Sequence, residues 1–178
     1  MSKKFLIILY GPQCSGKSTV AKLLLEKTPE VFHASPDKIK WFISDYSAEK
    51  YSGKGVINRL TLSLVNQAAA EGFSILVEGN IKIMLGADEY NKIAEDNNMK
   101  FIQINIEAPY EVLLNRFNLR VKDAQEKNTK ISVKTEDGMR ERYNKYHELK
   151  KQEVLTFDSS TKSPEEILSE IESLFKKY

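Results

Sequence analysis

The residues most able to do chemistry lie near the start of the chain. Gly11-Pro12-Gln13-Cys14-Ser15-Gly16-Lys17-Ser18, followed by Thr19, fits G-x-x-x-x-G-K-[ST] in full. The chemistry this spacing supports is the cradling of a polyphosphate. Backbone N–H groups line a concave turn, and Gly11 and Gly16 allow conformations and close approach that a side chain would block. Lys17 is placed to reach the β- and γ-phosphates as a cation, and the Ser18 hydroxyl is suited to Mg²⁺. A helix starting at this point adds the positive end of its dipole. The alternative is a glycine-rich turn with a chance Gly-Lys-Ser. It is opposed by context, because an apolar run precedes the motif and a helical pattern follows it. Cys14 reads as a spacer within the loop.

Four further features bear on what happens to a bound triphosphate. Ser35-Pro36-Asp37 places a carboxylate after the second apolar segment. There it can accept the proton of an attacking hydroxyl, or simply favour a helix dipole. Ile75-Leu76-Val77-Glu78 is an apolar run ending in a carboxylate that can hold Mg²⁺ directly or through water. The chain has five arginines against twenty-two lysines, and Arg116, Arg120, Arg140 and Arg142 fall within one stretch. Arg116 and Arg120 are four apart and share a helix face bordering Leu113, Phe117 and Val121. Planar guanidinium donors suit a transferring phosphoryl group, although a solvated basic edge has the same spacing. Arg140 and Arg142 read as surface charges. Asp158-Ser159-Ser160-Thr161 is either a border of the base site or a plain polar turn.

These groups need a scaffold, and the patterning supplies one. Residues 5–10 form a continuous apolar run, as expected of a strand buried on both faces. Further strands are predicted at about 30–34, 73–77, 101–106 and 154–157. Helices are predicted from Gly16, from Asp37, over 55–71 with a Val56, Leu60, Leu64, Ala68 stripe, over 87–97, from Pro109 to about 123, over 136–150, and from a Ser163-Pro164-Glu165-Glu166 capping box onward. A polar stretch is expected over 122–134. Strand and helix alternate about five times, which implies an α/β fold: a parallel sheet covered by helices on both faces, with ligands at the carboxyl ends of its strands. The 178 residues form one domain. Twenty-seven basic and twenty-five acidic side chains give a net +2, which excludes a strongly basic nucleic-acid coater and an acidic disordered tail. One cysteine excludes an internal disulfide and points to a reducing, cytoplasmic setting. The start imitates a signal peptide but reads as the first strand, and no run approaches a membrane span.

Taken together, residues 11–19, the Ser-x-Asp at 35–37, the strand ending in Glu78, the arginine-rich segment from Arg116 and the Asp-Ser-Ser loop before Ser163 resemble the small P-loop kinases. The resemblance is strongest to the branch of polynucleotide 5′-hydroxyl kinase, zeta-toxin and chloramphenicol phosphotransferase, and it spans nearly the whole chain. It implies a three-layer αβα P-loop NTPase fold with a five-stranded parallel sheet in kinase-type order, ATP or GTP as donor, Mg²⁺, and a mobile helical lid over about 115–140. Carried across, Asp37 matches the acceptor-side base, Arg120 the lid arginine and Arg116 a lid-root residue that stacks on the base. The branch often has an arginine three residues after the Asp, where this chain has Lys40, and an Asp where it has Glu78. Lysine lacks the bidentate fork, so recognition of a nucleic-acid 3′-phosphate is not expected.

The expectation is therefore an ATP-dependent kinase. Gly11 to Thr19 bind the nucleotide, Ser18 and Glu78 hold the metal, and Lys17, Asp37, Arg116 and Arg120 carry the transfer to a hydroxyl-bearing acceptor. Two rivals remain open: a 5′-hydroxyl nucleic-acid kinase, and an ATP-binding switch or NTPase with no acceptor. Transfer to a nucleoside monophosphate would want more acceptor-side arginines than Arg59 and Lys40 supply. The aromatics Trp41, Phe42, Tyr46 and Tyr51 line an acceptor cleft on one reading and are ordinary packing on the other.

Overall fold

The computed structural model describes residues 4–51, 55–129, 131, 133–150 and 154–176, with only the backbone of residues 48, 49, 175 and 176. Its centre is β1 (Phe5–Tyr10), six apolar residues that are all buried. Odd and even positions of a strand face opposite ways, so an unbroken apolar run can serve two cores at once. Phe5, Ile7 and Leu9 join one core, beneath α1 (Lys17–Lys27) and α9 (Pro164–Lys176). Leu6 and Ile8 join the other, beneath α4 (Val56–Ala70) and α6 (Ala87–Asp96).

The five strands are β1, β2 (Val31–Ala34), β3 (Ser74–Glu78), β4 (Lys100–Glu107) and β5 (Leu155–Asp158), in the order β2-β3-β1-β4-β5. Every pairing is parallel, with Ile7 opposite Leu76 on one side and Ile102 on the other. The expected three-layer α/β arrangement is thus observed. Because all strands run the same way, their carboxyl ends form one edge. Ser35, Glu78, Glu107 and Asp158 lie there, beside the turn that leaves β1. Two short helices, α2 (Pro36–Ile39) and α3 (Ala48–Tyr51), follow β2, and α5 (Ile81–Leu85) follows β3. The segment expected as a lid, about 115–140, takes in most of α7 (Tyr110–Glu126), the following loop and the start of α8 (Glu136–Leu149). Its residues 130 and 132 lie outside the described residues.

Several elements depart from expectation. The buried face of α4 is Thr61, Val65, Ala68 and Ala69, while Leu60 and Leu64 are about 40% exposed (41% and 40%). Steps of four residues drift by about 40° each at 100° per residue, whereas alternating steps of four and three stay on one face. Thr61 is admitted because its hydroxyl donates to the Ile57 carbonyl at 2.7 Å. The helix from Asp37 is one turn, continued by a 3-10 turn over Lys40–Phe42. α5 has no sequence counterpart in the reading above; its cap is the Asn80 side chain, which accepts from the Lys82 amide at 2.9 Å. Pro109 sits at the cap of α7 rather than inside it, and α7 runs on to Glu126 through residues expected to be a polar stretch. The capping box at α9 is present in both directions: the Ser163 amide donates to Glu166 Oε2 at 2.7 Å, and the Glu166 amide donates to Ser163 Oγ at 3.2 Å.

The turn out of β1 is pressed against β4. Gly11 has φ +151°, and a Cβ there would stand 1.9 Å from the Ile106 carbonyl oxygen. Gly16, the cap of α1, has φ +90° but nothing within 4 Å. The two glycines therefore serve different ends, close approach in one case and conformation in the other. Gly11→Ala is expected to destabilise the protein by about 3 kcal/mol or more, and Gly16→Ala by about 1–2 kcal/mol. Thermal unfolding of the two variants checks the ranking.

Candidate active site

The loop between β1 and α1 is built around its own backbone. Cys14 adopts φ +64°, a left-handed conformation uncommon for a residue with a side chain. Its side chain packs with the cluster of Leu113 and Phe117 of α7, so it is more than a spacer: it seats the loop against α7. Ser15 is fully buried behind the loop. The Lys17 ammonium donates to the Pro12 carbonyl at 2.6 Å and to Ser15 Oγ at 3.4 Å. Burial lowers its pKa from the usual 10.5 to about 8. The neighbouring charges act against each other: Glu78, Cys14 and Asp37 favour the ammonium, and Arg120 opposes it. Lys17 is thus the point at which the candidate groups meet electrostatically.

Ser18 and Glu78 are paired directly, the hydroxyl donating to Glu78 Oε1 at 2.5 Å. β3 lies beside β1, with Glu78 opposite Leu9, so its carboxylate arrives at the phosphate loop by register. Burial pushes the Glu78 pKa up. The His33 imidazole, the Ser18 hydroxyl and the Lys17 charge more than reverse that and hold it below the usual carboxylate range. His33 stands on the adjacent strand with Nε2 3.3 Å from Glu78 Oε2. A hydroxyl and an ionised carboxylate converging in this way are hard oxygen donors that fit Mg²⁺. Among the described residues, no group of three or more His, Cys, Asp or Glu side chains could hold a metal.

On the β2 side, Asp37 projects from the first turn of α2 and is largely exposed. The ammonium of Lys40 lies 2.9 Å from its Oδ1. Lys40, noted above for replacing an arginine, is therefore engaged with Asp37. On the β4 side, Arg116 of α7 reaches two loops. It donates to the Ser159 hydroxyl at 2.9 Å and the Ser159 carbonyl at 2.7 Å, and more weakly to the Cys14 carbonyl at 3.5 Å. The Asp158 carboxylate caps its own turn through Ser160. Arg120, one turn further along α7, is exposed, yet its charge is felt at Lys17. Arg140 lies over the Tyr110 ring, 5.1 Å from its centroid.

Sequence reasoning missed two groups. One is His33. The other is a polar network under α8. Lys150 donates to both oxygens of Glu107 at 3.0 and 2.7 Å, and the Tyr146 hydroxyl shares its one proton between Asn105 Oδ1 at 2.8 Å and Glu107 Oε2 at 2.9 Å. Burial raises the Glu107 pKa, but its bonds to Lys150 and Tyr146 outweigh that and lower it overall. Tyr146 is driven upward by burial and then by Glu107. The signal for Glu107 was the same as for Glu78, an apolar strand ending in a carboxylate.

Residues 6–146 match the family described as AAA domain, and the chain belongs to it. No curated protein sequence matches the chain. Several solved structures share its fold. A candidate kinase from Chloroflexus aurantiacus is 17% identical with a TM-score of 0.72, over 96% of this chain and 98% of that one. The Deinococcus radiodurans tunicamycin resistance protein is 17% identical with a TM-score of 0.63, over 97% and 95%. The Mycobacterium tuberculosis APS kinase, solved in complex with AMPPNP and APS, is 15% identical with a TM-score of 0.66, over 99% of both chains. At these identities the likeness is one of fold.

The depressed pKa of Lys17 has a measurable consequence. A bound triphosphate favours the ammonium, so binding is expected to take up a proton wherever the free protein has lost one, from about pH 8 to the ordinary lysine value. Below about pH 7, Lys17 is already charged and uptake vanishes. Calorimetry of MgATP binding at pH 9, in buffers of different ionisation enthalpy, should register about one proton taken up. Lys17→Arg, which stays charged throughout, should take up none through this residue.

Proposed function

We propose that this chain is a P-loop kinase that transfers the γ-phosphoryl group of ATP, or of GTP, to a hydroxyl of an acceptor bound beside Asp37. The observation that carries the reading is the meeting of charges at Lys17. Its ammonium senses Glu78 on the metal side, Asp37 on the acceptor side and Arg120 on the lid side. A loop that only held nucleotide would need no acceptor-side carboxylate within range. The fold shared with an APS kinase solved with AMPPNP and APS supports the same reading.

In this reading the amides of residues 11–19 and the Lys17 ammonium bind the β- and γ-phosphates. Ser18 and Glu78 would hold Mg²⁺, which when bound neutralises charge on the phosphate oxygens. Asp37 takes the proton of the acceptor hydroxyl. The hydroxyl oxygen forms a bond to the γ-phosphorus as the bridging P–O bond breaks, and the electron pair leaves on the nucleoside diphosphate. Lys40 holds the Asp37 carboxylate in place between turns of α2. Arg120 contributes charge to the transferring group when the segment 115–140 closes as a lid, and closure excludes water. Arg116 fixes the base-side loops to the phosphate loop, with the nucleotide base against its guanidinium. The whole chain acts as one cytoplasmic catalytic domain of the polynucleotide-kinase, zeta-toxin and chloramphenicol-phosphotransferase branch. No helix among the described residues is long and apolar enough to cross a membrane. A 5′-hydroxyl nucleic-acid end is a less favoured acceptor than a small molecule, because Lys40 is taken up by Asp37 and the net charge is only +2.

Transfer of labelled γ-phosphate to a panel of sugars, nucleosides, antibiotics and 5′-hydroxyl oligonucleotides tests the reading; nucleotide binding with no acceptor labelled would replace it with a switch. With the acceptor in hand, Asp37→Asn should lower kcat by about 10²–10⁴-fold and leave ATP affinity within about twofold. Arg120→Ala should lower kcat by about 10²–10³-fold with a much smaller loss of nucleotide affinity. Equal losses in rate and affinity would reduce Arg120 to a ground-state contact.

A further inference from the structure

Most of the large aromatic side chains on the sheet and its covering helices are buried, but Trp41 and Phe42 are 62% and 80% exposed. They are not the ordinary packing that was one reading of this segment. They are consecutive on the 3-10 turn that continues α2, four and five residues after Asp37. One side chain links Trp41 to the carboxylate. The Lys40 ammonium is 2.9 Å from Asp37 Oδ1 and 5.1 Å from the centroid of the Trp41 ring. A second pair lies just beyond, Tyr46 stacked on Tyr51 with centroids 5.7 Å apart, and Lys50 lies over Tyr51 at 5.2 Å. We propose that Trp41 and Phe42 form a stacking platform for the acceptor, and that the acceptor is an uncharged alcohol bearing a flat heteroaromatic ring, the chemistry of a nucleoside. This deepens the kinase reading and rests on it for the position of the transferred phosphate.

Charge decides between a single ring and a strand. Residues 37–50 contain Lys38, Lys40 and Lys50 against Asp37, Asp45 and Glu49, so the segment is neutral. A groove for a nucleic-acid backbone needs an excess of cations along its track, and affinity then falls steeply with salt. Exposed ring faces without that excess suit one neutral base, because stacking depends on the π-face and not on phosphate. With the base on Trp41 and Phe42, the ribose hydroxyl is turned toward Asp37 at the start of the same turn. Lys40 then acts twice, as a partner of the carboxylate and as a cation on the ring.

The chain contains a single tryptophan, so its fluorescence reports the platform directly and without catalysis. Cytidine and guanosine are expected to quench it saturably, with little dependence on salt, and glucose is expected to leave it unchanged. Phe42→Ala, at a position exposed to solvent, should weaken the nucleoside quench about tenfold and raise the nucleoside KM by a similar factor, with kcat within about twofold. Absence of nucleoside quenching would overturn the platform. So would quenching only by a 5′-hydroxyl oligothymidylate with steep salt dependence, or burial of Trp41 in a concentration-dependent dimer. The two readings fail separately. Saturable nucleoside quenching with no phosphate transfer to any acceptor would leave the platform and remove the kinase. Transfer to a ring-free sugar, with an unchanged KM in Phe42→Ala, would leave the kinase and remove the platform.

Discussion

The desolvated ammonium of Lys17 is the constraint around which this end of the molecule is arranged. A lysine shed of much of its water favours its neutral form, and its pKa falls to about 8. Two carboxylates from parts of the chain that the sequence separates widely act against that loss and favour the ammonium. Glu78 arrives by the register of β3 against β1, and Asp37 by the turn that leaves β2. Neither position has meaning without the parallel sheet, which delivers every strand's carboxyl end to one edge. The order β2-β3-β1-β4-β5 places β1 in the middle, so the phosphate loop has the ends of β2 and β3 to one flank and the ends of β4 and β5 to the other.

Close packing fixes that loop as firmly as charge does. Gly11 lies against the Ile106 carbonyl, Ser15 is buried behind it, and Cys14 is wedged into the cluster of Leu113 and Phe117. Arg116 then joins the far side of the loop to Ser159. The loop is held from β4, from α7 and from the turn after β5 together. Amides held this way lose little freedom when a polyanion arrives, which is what preorganisation means in energetic terms.

Much of this was legible in the sequence for identifiable reasons. The apolar run at 5–10, the G-x-x-x-x-G-K-S that follows and the Ser163–Glu166 box are local signals, and local signals survive folding unchanged. What was not legible depended on partners far away in the chain. Leu60 and Leu64 had the right chemistry for a core and the wrong angular position, because the sheet selected the face carrying Thr61 and Val65. His33 was silent because its significance is Glu78, on the neighbouring strand. Lys40 looked like a missing arginine until its ammonium was found on Asp37. Glu107 carried the same strand-end signature as Glu78, but its partners Tyr146 and Lys150 come from about forty residues away.

That last network gives α8 an anchor at one end. The helix is bonded to β4 through Tyr146, near its carboxyl end, and the Lys150 bond lies just past it. Its amino end is ten residues away, about 15 Å at 1.5 Å per residue. That end is held as well, to α7, by the Asn118 amide donating to Glu136 Oε1 at 2.7 Å and by Met139 buried in the cluster of Leu113 and Phe117. Held at both ends, a helix of this length braces the edge of the sheet against α7.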